Sequence, residues 1–129
     1  MIETRDLDEI FDHLEATLAR HAPPLVVRRD TPRGKRNLHL WSEKDVEIDG
    51  RKRAEVFFAG AIVQKGYVGF YYMPVYTDAE RADLFDPELL PLLKGKSCFH
   101  VQVLDEKRLE QIEDALAKGF RLYLERGWI

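Results

Sequence analysis

One stretch limits the folds open to this chain more than any other: Ala54 to Tyr76, AEVFFAGAIVQKGYVGFYYMPVY. It is the longest apolar run and holds half of the chain's aromatic rings. Val56 to Val63 and Tyr67 to Val75 are rich in Val, Ile, Phe and Tyr, and Gln64-Lys65-Gly66 separates them, which spells a β-hairpin closed by a glycine turn. A three-residue connection sets Val63 opposite Tyr67. One face then carries Phe57, Ala59, Ala61 and Val63 against Tyr67, Gly69, Tyr71 and Met73. The other carries Val56, Phe58, Gly60 and Ile62 against Val68, Phe70, Tyr72 and Pro74, with the Phe70 ring covering Gly60. Neither face is polar, as one face of a solvated antiparallel sheet should be. Each therefore needs a cover: helices on one, and a loop, ligand or partner on the other.

The flanking sequence supplies the helices. Asp6 and Glu9 have capping-box spacing, and Leu7, Ile10, Phe11, Leu14 and Leu18 fall on one helical face, so a helix is expected from Leu7 to His21, stopped by Pro23-Pro24. Leu25 to Asp30 reads as a strand and Thr31-Pro32-Arg33-Gly34 as a turn. Asn37 to Glu43 alternates cleanly, with Leu38 and Leu40 on one side and His39 and Trp41 on the other. A charged connection follows from Lys44 to Arg53, with an Asp49-Gly50 turn and a short edge strand at Val46 and Ile48. Beyond the hairpin, Thr77 with Glu80 and Asp86-Pro87 open two short helical turns, the second limited by Pro91. Ser97 to Leu104 alternates again, with Phe99 and Val101 inward and Cys98, His100 and Gln102 outward. Asp105 caps a last helix whose stripe is Leu109, Ile112, Leu116, Phe120 and Tyr123, closed by Gly127. The expected fold is α+β: one two-layer domain over residues 1–129, an antiparallel sheet of about five strands with the N- and C-terminal helices on one face.

Composition narrows the function classes. A length of 129 residues is enough for one core without staples. The single cysteine, Cys98, rules out an internal disulfide, and with no signal peptide the chain is expected to be cytoplasmic. No apolar run is long enough to cross a bilayer, so no membrane partner is expected. A net charge of −3 argues against a general nucleic-acid binder. The charge is unevenly spread, acidic through residue 22 and basic from 23 to 65, which would steer a ligand, pair subunits or form plain solvated faces.

Tyr67-Val68-Gly69-Phe70-Tyr71-Tyr72-Met73-Pro74-Val75-Tyr76, then Leu93-Lys94-Gly95-Lys96-Ser97-Cys98-Phe99, then the helix opened by Leu104-Asp105 resemble the YdhG-like family, small bacterial cytosolic domains of unknown function. The resemblance covers roughly residues 54–125; the first 50 residues match loosely, and the Arg-rich segment from Arg28 to Arg36 departs from it. Members are sometimes described as frataxin-like, which implies iron binding or a link to iron–sulfur cluster metabolism. The resemblance carries no catalytic residue.

Three constellations remain. Lys94-Gly95-Lys96-Ser97 ends like a phosphate-binding loop, but the position that needs the first glycine is Leu90 and a strand follows, so a tight turn is the reading. The acidic face of the first helix puts Asp8, Asp12 and Glu15 at i, i+4, i+7 and Glu9 with His13 at i, i+4, an arrangement of oxygen and imidazole ligands suited to a hard cation or ferrous iron, or simply to solvent. The outward residues His39, Trp41, Cys98 and His100 would gather beside Tyr67 and Tyr71 on the helix-free face. That aromatic floor suits a small molecule, a protein partner or a second copy of the chain. Cys98 and His100 are same-face neighbours too far apart along a strand for a direct hydrogen bond, so catalysis has thin support. The expected function is a non-enzymatic binding module using this face, with no cofactor required; the alternative is iron binding by the acidic helix.

Overall fold

The computed structural model describes residues 2–29, 35–77 and 83–129, with the backbone alone for 76 and 77. In chain order the elements are β1 (Glu3–Thr4), α1 (Leu7–Ala19), β2 (Val26–Arg28), β3 (Asn37–Ser42), β4 (Val46–Ile48), β5 (Arg51–Arg53), β6 (Val56–Val63), β7 (Val68–Tyr72) and α2 (Met73–Thr77). A 3-10 segment, Pro87–Leu92, then leads into β8 (Leu93–Lys94), β9 (Cys98–Val101), β10 (Leu104–Asp105) and α3 (Glu106–Glu125). Six strands form the main antiparallel sheet in the order β2-β3-β6-β7-β9-β8. The β4–β5 pair and the β1–β10 pair stand apart as two-stranded ribbons. The fold is the expected α+β, with α1 and α3 against the sheet. The expected turn at Thr31 to Gly34 and the Glu80 capping position lie outside the described residues.

The central hairpin corrects its expected register. The Gln64 N–H donates to the Tyr67 carbonyl at 2.9 Å and Gly66 sits at φ +88°, so a two-residue turn, Lys65-Gly66, closes it. Val63 is therefore opposite Val68, and Ala59 and Ala61 share a face with Tyr72 and Phe70 instead of with Tyr71 and Gly69 as a three-residue loop would have it. A bulge at β6, where Leu40 faces Ala59 but Trp41 faces Phe57, then puts Phe58 and Ala59 on the same side. Phe58, Ala59, Ala61, Val68, Phe70 and Tyr72 are consequently all buried on one face, with Leu38, Leu40, Phe99 and Val101 beside them. The second strand also stops at Tyr72 instead of Val75. Pro74 has no N–H for a central ladder, and the chain turns into α2 at Met73.

Both long helices cover this face. Ile10, Phe11, Leu14 and Leu18 of α1 and Ile112, Ala115, Leu116 and Tyr123 of α3 are buried in one cluster with the sheet residues. Fully burying a side chain of the size of Phe58 or Leu14 contributes roughly 1.5–3 kcal/mol. The α1 cap differs from the expected box. Asp6 accepts from the N–H groups of Asp8 and Glu9, but the Thr4 hydroxyl takes the Asp6 N–H and donates to Glu9 at 2.7 Å. Helix α1 ends at Ala19, short of His21, whose ring packs 5.0 Å from Phe120 and 6.3 Å from Phe58.

Two tyrosines fix α3 to the sheet. Tyr72 Oη donates to the Ala115 carbonyl at 2.5 Å, with the Leu84 carbonyl at 3.2 Å, and Tyr123 Oη donates to the Phe57 carbonyl at the bulge at 2.8 Å. Tyr72 comes this close because Gly119 has no side chain: a Cβ there would lie 2.6 Å from Tyr72 Oη and 2.9 Å from Pro74 Cγ. The helix ends in a Schellman motif around Gly127 at φ +74°. The Trp128 N–H donates to Tyr123 O and the Gly127 N–H to Leu124 O, and the Trp128 ring rests edge-on 4.9 Å from Tyr123.

Two tests follow from this packing. Gly119→Ala should lower the midpoint of denaturant unfolding, because overpacking costs about 1–3 kcal/mol and outweighs the roughly 1 kcal/mol that Ala adds to a helix. An unchanged or raised midpoint would show that Tyr72 can yield. His21 titrates below its ordinary value of 6.5, first because burial disfavours the imidazolium and then because Arg20 is nearby. The unfolded chain thus takes up the proton first, so this contribution to stability is complete above 6.5 and is lost as pH falls below it. Urea unfolding at pH 7.5 and 5.5 should show an acid-side loss that shrinks in His21→Phe.

Candidate binding face and cleft

Helices α1 and α3 lie on the core side of the sheet, and the register builds the opposite face in rows. His39, Gly60, Tyr71 and Cys98 align across β3, β6, β7 and β9. Asn37, Ile62, Gly69 and His100 form the next row, while Trp41 pairs with Phe57 beyond the bulge. All six residues expected on this face, His39, Trp41, Tyr67, Tyr71, Cys98 and His100, are on it, each half-buried.

Rings cover the two glycines. Gly60 lies beneath His39 instead of Phe70, and a Cβ on it would be 2.8 Å from both His39 Nδ1 and the Leu38 carbonyl. A Cβ on Gly69 would be 3.0 Å from Tyr71 Cε2 and 3.3 Å from Cys98 Sγ. Tyr67 stacks on His100 at 3.8 Å between centroids, and Trp41 and His39 flank Phe57 at 5.3 and 6.0 Å. The face is a laminate of side chains on bare backbone.

Its one thiol is not set up as a nucleophile. Burial pushes Cys98 up from the ordinary thiol value, and a hydrogen bond with Tyr71 only partly opposes this. Tyr71 is likewise raised, by its own burial first and then by Cys98. Near neutral pH both groups keep their protons, and a thiol is a weak nucleophile.

At the Trp41 end the face runs into a cleft of about 750 Å³. Trp41, Phe57 and Met73 come from the sheet and the start of α2, Tyr123, Arg126 and Trp128 from the end of α3, and Ile48, Asp49 and Arg53 from the β4–β5 ribbon. That ribbon replaces the expected edge strand. Asp49 at φ +52° and Gly50 at φ +76° form a two-residue turn with both positions left-handed, so Val46 to Ile48 fold back on Arg51 to Arg53 and do not join the main sheet. One wall is electrostatically closed. The Arg28 guanidinium lies 4.9 Å over the Trp41 ring and is held by Glu43 at 2.7 Å and Glu55 at 2.5 Å. The sequence reading included Trp41 but neither Trp128 nor the ribbon.

The acidic helix face is differently engaged. Arg36 bridges Asp8 at 3.2 Å and Asp12 at 2.7 Å, Arg29 pairs with Glu15 at 2.6 Å, and Glu9 accepts from Thr4. His13 is half-buried on the same helix. Among the described residues no group of three or more His, Cys, Asp or Glu side chains is placed to hold a metal ion. The Lys94–Ser97 segment is a turn between β8 and β9 with Gly95 at φ +85°. No helix among the described residues is long and apolar enough to cross a membrane.

No family model matches the chain, and neither curated proteins nor solved structures give a match to it.

The thiol assignment can be checked directly. The rate of Cys98 alkylation by iodoacetamide should rise with a midpoint above that of a free thiol, and Tyr71→Phe should move it further up by removing the opposing hydrogen bond. A midpoint at or below the free-thiol value would contradict the protonated pair.

Proposed function

We propose that this protein is a non-enzymatic binding module that holds a small ligand at the end of its aromatic sheet face, where Trp41 and Phe57 enter the cleft. The observation that carries this reading is the cleft itself. Its volume of about 750 Å³ falls within the roughly 300–1,000 Å³ of small-molecule sites, and its walls combine aromatic rings with a few charged groups. The half-buried, protonated Cys98 favours binding over covalent chemistry on the same face. The resemblance to YdhG-like domains agrees with a small module of this size and adds no reaction. A second copy of the chain is the other occupant this face suits.

Native mass spectrometry of the protein as purified from cells separates these outcomes. A retained small-molecule mass in the wild-type protein, lost or reduced roughly tenfold in Trp41→Ala with unchanged circular dichroism, supports the cleft. A dimer mass that reverts to monomer in Tyr71→Glu would assign the face to self-association instead.

A further inference from the structure

The cleft also carries a charge pattern, and the following step rests on the binding reading above. Of its acidic groups, Glu55 is consumed by Arg28 at 2.5 Å. Glu47, across from Lys52 in the ribbon register, and Asp49, exposed at the ribbon tip, also border the cleft. Arg53 is different. It shares a register position with half-buried Val46, which packs against the core, so strand alternation places it on the inner side of the ribbon. It borders the cleft, and its guanidinium makes no hydrogen bond, ion pair or ring contact with any described residue. The rings of Trp41, Phe57 and Trp128 line the same cleft.

We infer that the cleft binds a planar aromatic carboxylate, its ring among Trp41, Phe57 and Trp128 and its anionic group on Arg53. Ring faces supply apolar area and stacking geometry, and a guanidinium meets a carboxylate through two parallel N–H···O bonds, which fixes orientation as well as charge. Arg126, 4.9 Å over the Trp128 ring, adds a second guanidinium to the cleft lining, and an organic cation would meet its like charge there.

A matched pair of probes tests this, 2-naphthoate and 2-naphthylmethylammonium, which share a ring system and differ in the sign of charge. Each is titrated into the full chain with the indole N–H resonances of Trp41 and Trp128 followed by NMR. Naphthoate should move both resonances and bind about tenfold or more tighter than the ammonium, and Arg53→Gln, at an exposed position, should erase that difference without changing the fold. Tighter or equal binding of the ammonium would overturn the charge assignment while leaving the cleft as the site. Shifts confined to the His39, Tyr71 and Cys98 amides would overturn the cleft and leave a ligand-binding sheet face. Absence of any shift from either probe at millimolar concentration would overturn the inference, and the native mass measurement would then decide separately whether the module binds a small molecule at all.

Discussion

The contact between Tyr72 and the backbone of α3 sets where that helix meets the sheet. Tyr72 is fully buried, yet its hydroxyl must find a partner, because an unpaired buried hydroxyl costs about 1–3 kcal/mol. It reaches the Ala115 carbonyl, and the helix allows this only where Gly119 leaves the surface bare. A helix pinned there delivers Tyr123 to the bulge carbonyl of Phe57 one turn later. The Schellman turn then swings Trp128 back beside Tyr123, where Ser42 Oγ donates to the Trp128 carbonyl. Two of the cleft's rings are thus placed by a hydrogen bond in the middle of the core.

The bulge in β6 performs the complementary task on the sheet. Without it, strict alternation from Ala59 would turn Val56 and Phe58 outward and Phe57 inward. With it, Phe58 joins the core against Tyr72 and Tyr123, while Phe57 stays beside Trp41 on the outer face. The same residue pair therefore serves both layers. Bulges bend and twist a strand, and this one lies where the flat aromatic laminate gives way to the concave end.

The sequence was most legible where a residue has one physical use. The apolar stripes of α1 and α3, the Asp86 and Asp105 caps, Gly127 and the Asp49-Gly50 turn all behave as their chemistry requires. Four outward side chains, His39, Trp41, Cys98 and His100, were assignable to one face because period-2 alternation survives in β3 and β9. The hairpin register was not legible, since Gln64-Lys65-Gly66 suits a two-residue or a three-residue loop and the choice flips every partner. Both hairpin faces being apolar removed the polar signal that normally decides it. The cleft was hidden for another reason: it joins residues 41, 57, 73, 123 and 128, and its ribbon wall reads in sequence as a charged connection. Only tertiary packing brings those pieces together.

The uneven charge along the chain also acquires a meaning from the fold. The acidic first helix and the basic segment after it read in sequence as surfaces that steer a ligand or pair subunits, or as plain solvated faces. They largely answer each other, through Arg36 on Asp8 and Asp12 and Arg29 on Glu15, with Arg20 reaching Glu113 on α3. Exposed pairs of this kind contribute little to stability, typically 0–1 kcal/mol each. Their larger effect is on recognition. A carboxylate already bridged by a guanidinium is a weaker metal ligand, because the two cations compete for the same negative charge. Charges left without such a partner at a concave, ring-lined site need no such competition, and the cleft is proposed over the acidic helix for this difference more than for net charge.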